Sequence, residues 1–147
     1  MASFFDQNAY EELHSRLKNI ELETVPKWGK MTAAQMINHC QGPLKIAVNK
    51  SDITMKPNWL VKVLFKKMMY SSKPYRKNVP TPIIFRSTGG FNFEKEKLSL
   101  QKYMDELWED RDNESRTPHP VFGKFTKEQW GIMQWKHLNH HFDQFGV

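Results

Sequence analysis

The fold and the candidate site are both indicated most directly by one stretch of the chain, Trp135-Lys136-His137-Leu138-Asn139-His140-His141-Phe142-Asp143-Gln144-Phe145. It contains three of the chain's six histidines. Since successive residues of an α-helix advance about 100°, His137 and His141 project from one face, about one turn apart. An apolar arc lies beside them, made by Trp135, Leu138, Phe142 and Phe145. The stretch therefore predicts a helix that packs this arc on a core and carries two histidines at its edge.

The spacing of His137 and His141 is one that a first-row metal ion accepts from two imidazoles. Gln144 and Trp130 fall within about 20° of the same stripe, so we expect them to support the ligands or to line the pocket. His140 points towards the polar side of the helix and is a candidate proton shuttle. The alternative is that the histidines only pack, because imidazole tolerates half-burial. A metal site is favoured if a third ligand lies elsewhere in the chain.

A third histidine is predicted to face these two from an earlier helix. Thr32-Ala33-Ala34-Gln35 is a capping-box pattern, and it begins a helix whose apolar face runs through to Ala47. His39 lies at the edge of that face, as His137 does on the last helix. Three neutral imidazoles with an open position for water form the arrangement of catalytic zinc. We therefore predict a divalent metal, zinc or nickel, bound by His39, His137 and His141.

The remaining periodic stretches complete an all-α prediction. Residues 4–23 and 93–112 place apolar residues on one helix face, and Thr126 begins the last helix with a second capping box. Between the second and third main helices, residues 50–90 form a basic insertion. Within it, Asn58 to Tyr70 suits a short amphipathic helix, and the prolines that follow predict an irregular loop. The expected fold is an up-and-down four-helix bundle with this insertion.

Composition agrees with one packed domain, residues 1–147. Apolar residues make up 39% of the chain and aromatics 13%, which favours a packed core over disorder. No apolar run of about 18 residues is available to cross a bilayer, and the first residues lack the basic-then-apolar layout of a signal peptide. The single Cys40 excludes an intramolecular disulfide. We therefore expect a cytoplasmic protein without stable membrane insertion.

The net charge of +6 is concentrated in one segment. Residues 53–93 hold eight of the 22 basic residues and no acid, so the rest of the chain has 14 basic residues against 16 acidic ones. We expect Lys66, Lys67 and Arg76 in this segment to attract an anionic small substrate towards the cavity. The simplest alternative is a solvated basic face on a helix that covers the bundle. A basic amphipathic helix can also lie on a membrane surface, whereas no nucleic-acid partner is expected.

The chain resembles the DinB/YfiT-like metalloenzyme superfamily over essentially its whole length. In that superfamily a histidine of the second helix and two histidines of the fourth, followed by a glutamine, bind a divalent metal; here these are His39, His137, His141 and Gln144. The chain is similar above all to a branch defined only as a domain of unknown function. That branch is typified by His-Pro-x-Phe-Gly before the last helix and by a tryptophan near its start, and His119, Pro120, Phe122, Gly123 and Trp130 agree with this pattern.

The resemblance implies a metal-dependent enzyme that activates a thiol or a water molecule. It implies a transferase that uses a low-molecular-weight thiol, with a hydrolase as the nearest variant, and a small-molecule substrate that the basic segment would attract. A homodimer is compatible with an aromatic-rich bundle. The competing hypothesis is a non-catalytic helical bundle that binds a small ligand or a partner through residues 56–77.

Overall fold

The computed structural model describes residues 1–53, 59–79 and 86–147. These residues form five helices, which are α1 (Gln7–Lys18), α2 (Ala33–Ala47), α3 (Trp59–Tyr70), α4 (Phe93–Glu109) and α5 (Lys127–Phe145). Within the described ranges there is no β-strand, only an isolated antiparallel bridge between His119 and Gly123. The all-α prediction is therefore confirmed, and α3 lies in the basic insertion. Lys56, Asn58 and residues 80–85 of the predicted loop lie outside the described residues.

Two helices begin with the capping boxes that the sequence predicts. The Thr32 hydroxyl accepts from the backbone N–H of Gln35 at 3.2 Å, and the Gln35 side chain accepts from the Thr32 N–H at 3.0 Å. Thr126 and Gln129 form the same pair at the start of α5. Because each box satisfies two backbone donors that have no partner inside the helix, it fixes where α2 and α5 begin.

The first helix is shorter than predicted, spanning residues 7–18 instead of 4–23. Before it, the Asp6 carboxylate accepts from the Ser3 N–H at 3.0 Å, and the Phe4 N–H donates to the carbonyl of Gly131 in α5 at 2.9 Å. This turn inserts the Phe4 ring into the core, where it is fully buried. The fourth helix likewise ends at Glu109 instead of residue 112.

The helices pack around one core, to which α1, α2, α4 and α5 contribute fully buried side chains. α2 packs along α4, and α5 contacts α1, α2 and α3. The Gln134 amide of α5 donates to the carbonyl of Pro43 in α2 at 3.0 Å, which joins these two helices near the middle of α2. α2 and α5 therefore face each other, and their facing side chains form the candidate site. No helix within the described ranges is long and apolar enough to cross a bilayer.

Candidate metal centre

His39 of α2 meets His137 and His141 of α5, as the sequence predicts. Their potential ligand nitrogens all lie within 4.8 Å of one another. The Nε2 atoms of His39 and His137 are 3.1 Å apart. Two imidazole nitrogens bound to one tetrahedral zinc lie roughly 3.4 Å apart, given Zn–N bonds of about 2.0–2.1 Å. The spacing of this pair is therefore close to that of two ligands on one ion.

The His141 ring is oriented by a hydrogen-bonded chain that starts at the backbone. The Gln144 Nε2–H group donates to the carbonyl of Trp28 at 2.8 Å. This contact fixes the amide so that its Oε1 faces His141 Nδ1, at 2.8 Å. Because Oε1 can only accept, Nδ1 of His141 carries the proton and its Nε2 keeps a free lone pair. This is the arrangement by which proteins orient a metal-binding histidine.

Burial holds two imidazoles of the triad, those of His137 and His141, in the neutral form. Burial and, to a smaller extent, the neighbouring His39 lower the pKa of His141 to about 3, against a raising contribution from its hydrogen bond with Gln144. Burial also lowers the pKa of His137 well below its ordinary value, helped by His141 and His39. Nδ1 of His137 is buried and has no hydrogen-bond partner among the residues that the structure describes. Three imidazole nitrogens this close together, two of them on rings held neutral, suit a cation, so the donor set fits a divalent metal.

Gly29 allows the loop between α1 and α2 to approach the site closely. Its φ of +83° is in the left-handed region, and a Cβ atom at this position would lie 2.6 Å from Nε2 of Gln144. Glycine avoids both the backbone strain and the collision. The neighbouring Trp28 carbonyl is thereby brought within hydrogen-bonding distance of Gln144.

His140 adjoins the triad instead of pointing away from it. Its ring centroid is 5.1 Å from that of His141. Trp28 and Tyr75 contact it edge to face at 5.9 and 5.7 Å. The Lys77 ammonium lies 4.2 Å from the centroid of the Trp28 ring. Burial lowers the pKa of His140, and Lys77 lowers it further against a raising contribution from Asp143, so this ring is a neutral base beside the triad.

The three cations predicted to attract a substrate lie in different surroundings. The Lys66 ammonium donates to the carbonyl of Lys124 and lies over the Phe125 ring, 5.0 Å from its centroid. Lys67 and Arg76 are exposed, and no described contact brings either of them to the triad. Lys77, another basic residue of this segment, does reach the residues around His140.

The described contacts of Trp130 belong to the core, about two helical turns from His137. Its fully buried ring contacts His119 and Phe125 at 5.8 and 5.2 Å. The His-Pro-x-Phe-Gly sequence forms a tight turn above it, in which Nδ1 of His119 accepts from the N–H groups of Val121 and Phe122. These contacts explain the motif as a structural turn, and a role for Trp130 in the pocket stays a prediction.

Cys40 adjoins His39 in sequence but points into the core. Its side chain is fully buried, and burial raises the pKa of its thiol. A protonated and inaccessible thiol is neither a nucleophile nor a metal ligand. Cys40 is therefore a small residue of the hydrophobic core.

Sequence reasoning missed four residues around the site, which are Trp28, Gly29, Tyr75 and Lys77. All four lie outside helices, so the helical periodicity that identified the histidines could not place them. The one available signal is the Trp28-Gly29 pair in a loop, because glycine often marks a close backbone approach. Nothing in the sequence indicates which element that loop approaches.

A family model described as "Protein of unknown function (DUF1569)" matches residues 5–146. The match includes His39, His137, His141 and Gln144. No curated protein and no solved structure matches the chain.

Proposed function

The chain belongs to the family described as "Protein of unknown function (DUF1569)", and we propose that this member is a divalent-metal-dependent enzyme. His39, His137 and His141 would hold Zn²⁺ or Ni²⁺ through their Nε2 atoms. The observation that carries the proposal is the chain of hydrogen bonds from the Trp28 carbonyl through Gln144 to His141. A histidine that only fills the core gains little from a fixed tautomer, whereas a metal ligand depends on one.

The proposed reaction is transfer of a low-molecular-weight thiol to an electrophilic small molecule, with hydrolysis as the nearest variant. A divalent metal in this site would lower the pKa of a bound thiol or water towards neutrality. His140 would accept the released proton, because its ring is neutral and adjoins His141. Lys77 would attract an anionic thiol, since its ammonium lies over Trp28 at the side of His140.

We also propose that the fold is the DinB-like four-helix bundle, formed by α1, α2, α4 and α5. Support comes from the packing of α2 on α4 and of α5 on both α1 and α2. α3 then covers the bundle as part of the basic insertion. We further propose a cytoplasmic location, which is supported by the single cysteine, Cys40, in the sequence. An experimental structure that shows a different order of helices around the core would refute the bundle.

The first experiment is metal content by elemental mass spectrometry on protein purified without a histidine tag. We expect about one zinc or nickel per chain, because each chain has one set of three histidine ligands. Replacing His39, His137 or His141 by alanine should remove the metal while helicity is retained. His140→Ala is the matched control: it should keep the metal and lose thiol-transfer activity. Absence of metal after incubation with both ions would refute the proposal.

A non-catalytic bundle that binds a partner is the second candidate, and the exposed apolar side chains of α3 favour it. On this alternative the three histidines are polar packing. The two candidates differ at His39: if His39→Ala leaves the metal content unchanged, the three-histidine site is wrong. Tight binding of a partner by protein that lacks metal would then support the alternative.

A further inference from the structure

The outer face of α3 exposes large apolar side chains to solvent. Leu60, Val63 and Leu64 are 50%, 68% and 64% exposed, and Trp59 at the start of the helix is 70% exposed. Phe65 and Met68 are 45% and 43% exposed. Scattered exposed apolar residues are ordinary in proteins, whereas a continuous patch on one helix marks an interaction surface.

The apolar patch is continuous around α3 because of its helical register. At about 100° per residue, Val63, Leu60 and Leu64 follow one another around the outer surface, and Met68 and Phe65 continue the arc. The opposite side of the helix faces the protein, where Lys66, Met69 and Tyr70 are partly buried. α3 therefore packs on α5 by a narrow stripe and turns its wider apolar side outward. Such a distribution is the reverse of that on a helix that only covers a core.

The surroundings of the patch are uniformly basic in sequence. Residues 59–79 contain six cations and no acid, namely Lys62, Lys66, Lys67, Lys73, Arg76 and Lys77. Lys67 and Lys62 are exposed on α3 itself, and Lys73 is exposed just beyond its end. By the helical register Lys67 lies within the apolar arc, between Val63 and Leu60, and Lys62 lies beyond Phe65. Exposed apolar side chains with lysines among and beside them suit a helix that lies in the interface of an anionic bilayer. The lysine side chains can extend to the headgroups while the apolar face enters the acyl boundary.

A second copy of the chain fits this surface less well. In a twofold symmetric contact the same patch meets itself, so the exposed lysines on and beside α3, Lys62, Lys67 and Lys73, would lie near those of the other copy. Repulsion between like charges opposes that contact. A flat anionic surface pairs with the cations and takes up the convex apolar face of a single helix.

We propose that the chain binds reversibly to anionic membrane surfaces through the outer face of α3. The helix lies parallel to the bilayer plane and does not cross it. The bound ligand is the bilayer itself, with anionic headgroups at the lysines and acyl chains at Leu60, Val63 and Leu64. This surface is distinct from the candidate metal centre, and the proposal does not depend on the proposed enzyme activity.

The test is cosedimentation of the full chain with vesicles of phosphatidylcholine mixed with phosphatidylglycerol. We expect binding at low salt that weakens as salt is added, and no binding to phosphatidylcholine alone. Leu64→Asp should weaken binding at least tenfold, because it removes apolar burial and adds an anion. Lys67→Glu should weaken it by about fivefold to tenfold.

Two matched controls separate this surface from general effects of substitution. Leu98→Asp replaces a leucine of α4 that is 68% exposed, and Lys95→Glu reverses an exposed lysine of the same helix; neither should change binding. Circular dichroism should show that all four variants keep the helicity of the wild type. This is expected because every replaced side chain is exposed.

Several results would overturn the proposal. One is no binding at low salt, and another is equal binding to vesicles with and without phosphatidylglycerol. Binding that Leu64→Asp leaves unchanged would mean that the apolar face is not used, and equal binding to duplex DNA would mean attraction to any polyanion. A dimer in sedimentation that Leu64→Asp dissociates would assign the surface to a second copy.

Discussion

Gln144 has no freedom to rotate its amide at the site. Its nitrogen is occupied by the Trp28 carbonyl and its oxygen by His141, both at 2.8 Å. A flipped amide would place Oε1 of Gln144 against the Trp28 carbonyl oxygen, where neither atom can donate, and its NH₂ group against the protonated Nδ1 of His141. The side chain therefore transmits the position of the backbone at Trp28 to the imidazole of His141, and the loop between α1 and α2 becomes part of the candidate centre.

Gly29→Ala should weaken metal binding without touching a ligand. The new Cβ would lie 2.6 Å from Nε2 of Gln144, and the φ of +83° is unfavourable for alanine. We expect about 10–100-fold weaker metal binding, as for other residues that orient a ligand, and a stability loss of roughly 1–2 kcal/mol from backbone strain. Titration with Zn²⁺ against a competing chelator measures the first, and urea denaturation the second.

Gly42→Ala is the matched control for this change. Gly42 lies inside α2, and a Cβ atom there would meet nothing within 4 Å. Alanine should stabilise the helix by about 0.5–1 kcal/mol and leave metal binding unchanged. If Gly29→Ala binds metal as tightly as Gly42→Ala does, Gln144 does not orient His141 as we infer.

Helical residues of the site could be predicted from sequence and loop residues could not, for a physical reason. His137, His141 and Gln144 share a face because a helix repeats every 3.6 residues, so their spacing alone places them together. Lys77 has no such repeat to place it. Its contact with Trp28 depends on how residues 71–79 fold back over α5, which only the tertiary structure determines.

At the scale of the helices, three helices end in the same way. In each, a lysine or arginine from a distant part of the chain donates to backbone carbonyls at the carboxyl end. The Lys97 ammonium donates to the carbonyls of Lys18 and Ile20 at the end of α1, at 3.1 and 2.7 Å. Arg116 donates to the Ala47 carbonyl that ends α2, at 3.1 Å. Lys136 donates to the carbonyls of Met68 and Ser71 at the end of α3. Because the last carbonyls of a helix lack partners and carry its negative dipole end, each contact also joins two elements.

Lys136→Met should release α3 while the core stays folded. The buried Lys136 ammonium donates to the carbonyls of Met68 and Ser71 at 2.5 and 3.2 Å, and it lies 4.3 Å from the centroid of the Tyr75 ring. Methionine keeps the apolar length of the side chain and loses the donors, at a cost of about 1–3 kcal/mol. Hydrogen exchange should show faster exchange of the α3 amides with little change in α5.

Lys97→Met provides the comparison, because it removes the same kind of contact from the end of α1. It should speed exchange at the end of α1 and leave α3 protected. Equal protection of α3 in the Lys136→Met variant and the wild type would show that packing, and not this ammonium, holds α3 in place.

The bounds of the helices show where sequence periodicity stops being informative. The apolar spacing predicted for residues 4–23 already includes Phe5, yet α1 begins only at Gln7. The Phe4 N–H gains a partner on Gly131 of α5, which no local pattern reveals. Thr32 and Thr126 begin their helices as predicted, because a capping box is complete within four residues.

At the scale of the whole molecule, burial of neutral histidines makes stability depend on pH. Burial lowers the pKa of His119 to about 4, whereas an unfolded chain has the ordinary value of about 6.5. Between these values the unfolded chain binds a proton that the folded chain does not. The contribution of neutral His119 to the free energy of unfolding is therefore fully present above about pH 6.5 and decreases as the pH falls towards 4. Protonation of Nδ1 would also break its contacts with the N–H groups of Val121 and Phe122.

His119→Asn should flatten this dependence. Asparagine can accept a backbone N–H as Nδ1 does, and it does not titrate. We expect the slope of the unfolding free energy between pH 4 and 6.5 to fall by up to about 1.4 kcal/mol per pH unit. Urea denaturation of metal-free protein across this range measures the slope. An unchanged slope would mean that the other histidines account for the whole pH dependence.

His39 and His137 are 98 positions apart in sequence, although their Nε2 atoms lie 3.1 Å apart. A cation shared between them would be a noncovalent cross-link between the early and late parts of the chain. Since the unfolded chain does not present the three imidazoles together, the free energy of binding would add to the free energy of folding. The supply of metal would then set how long the protein survives heat or proteolysis.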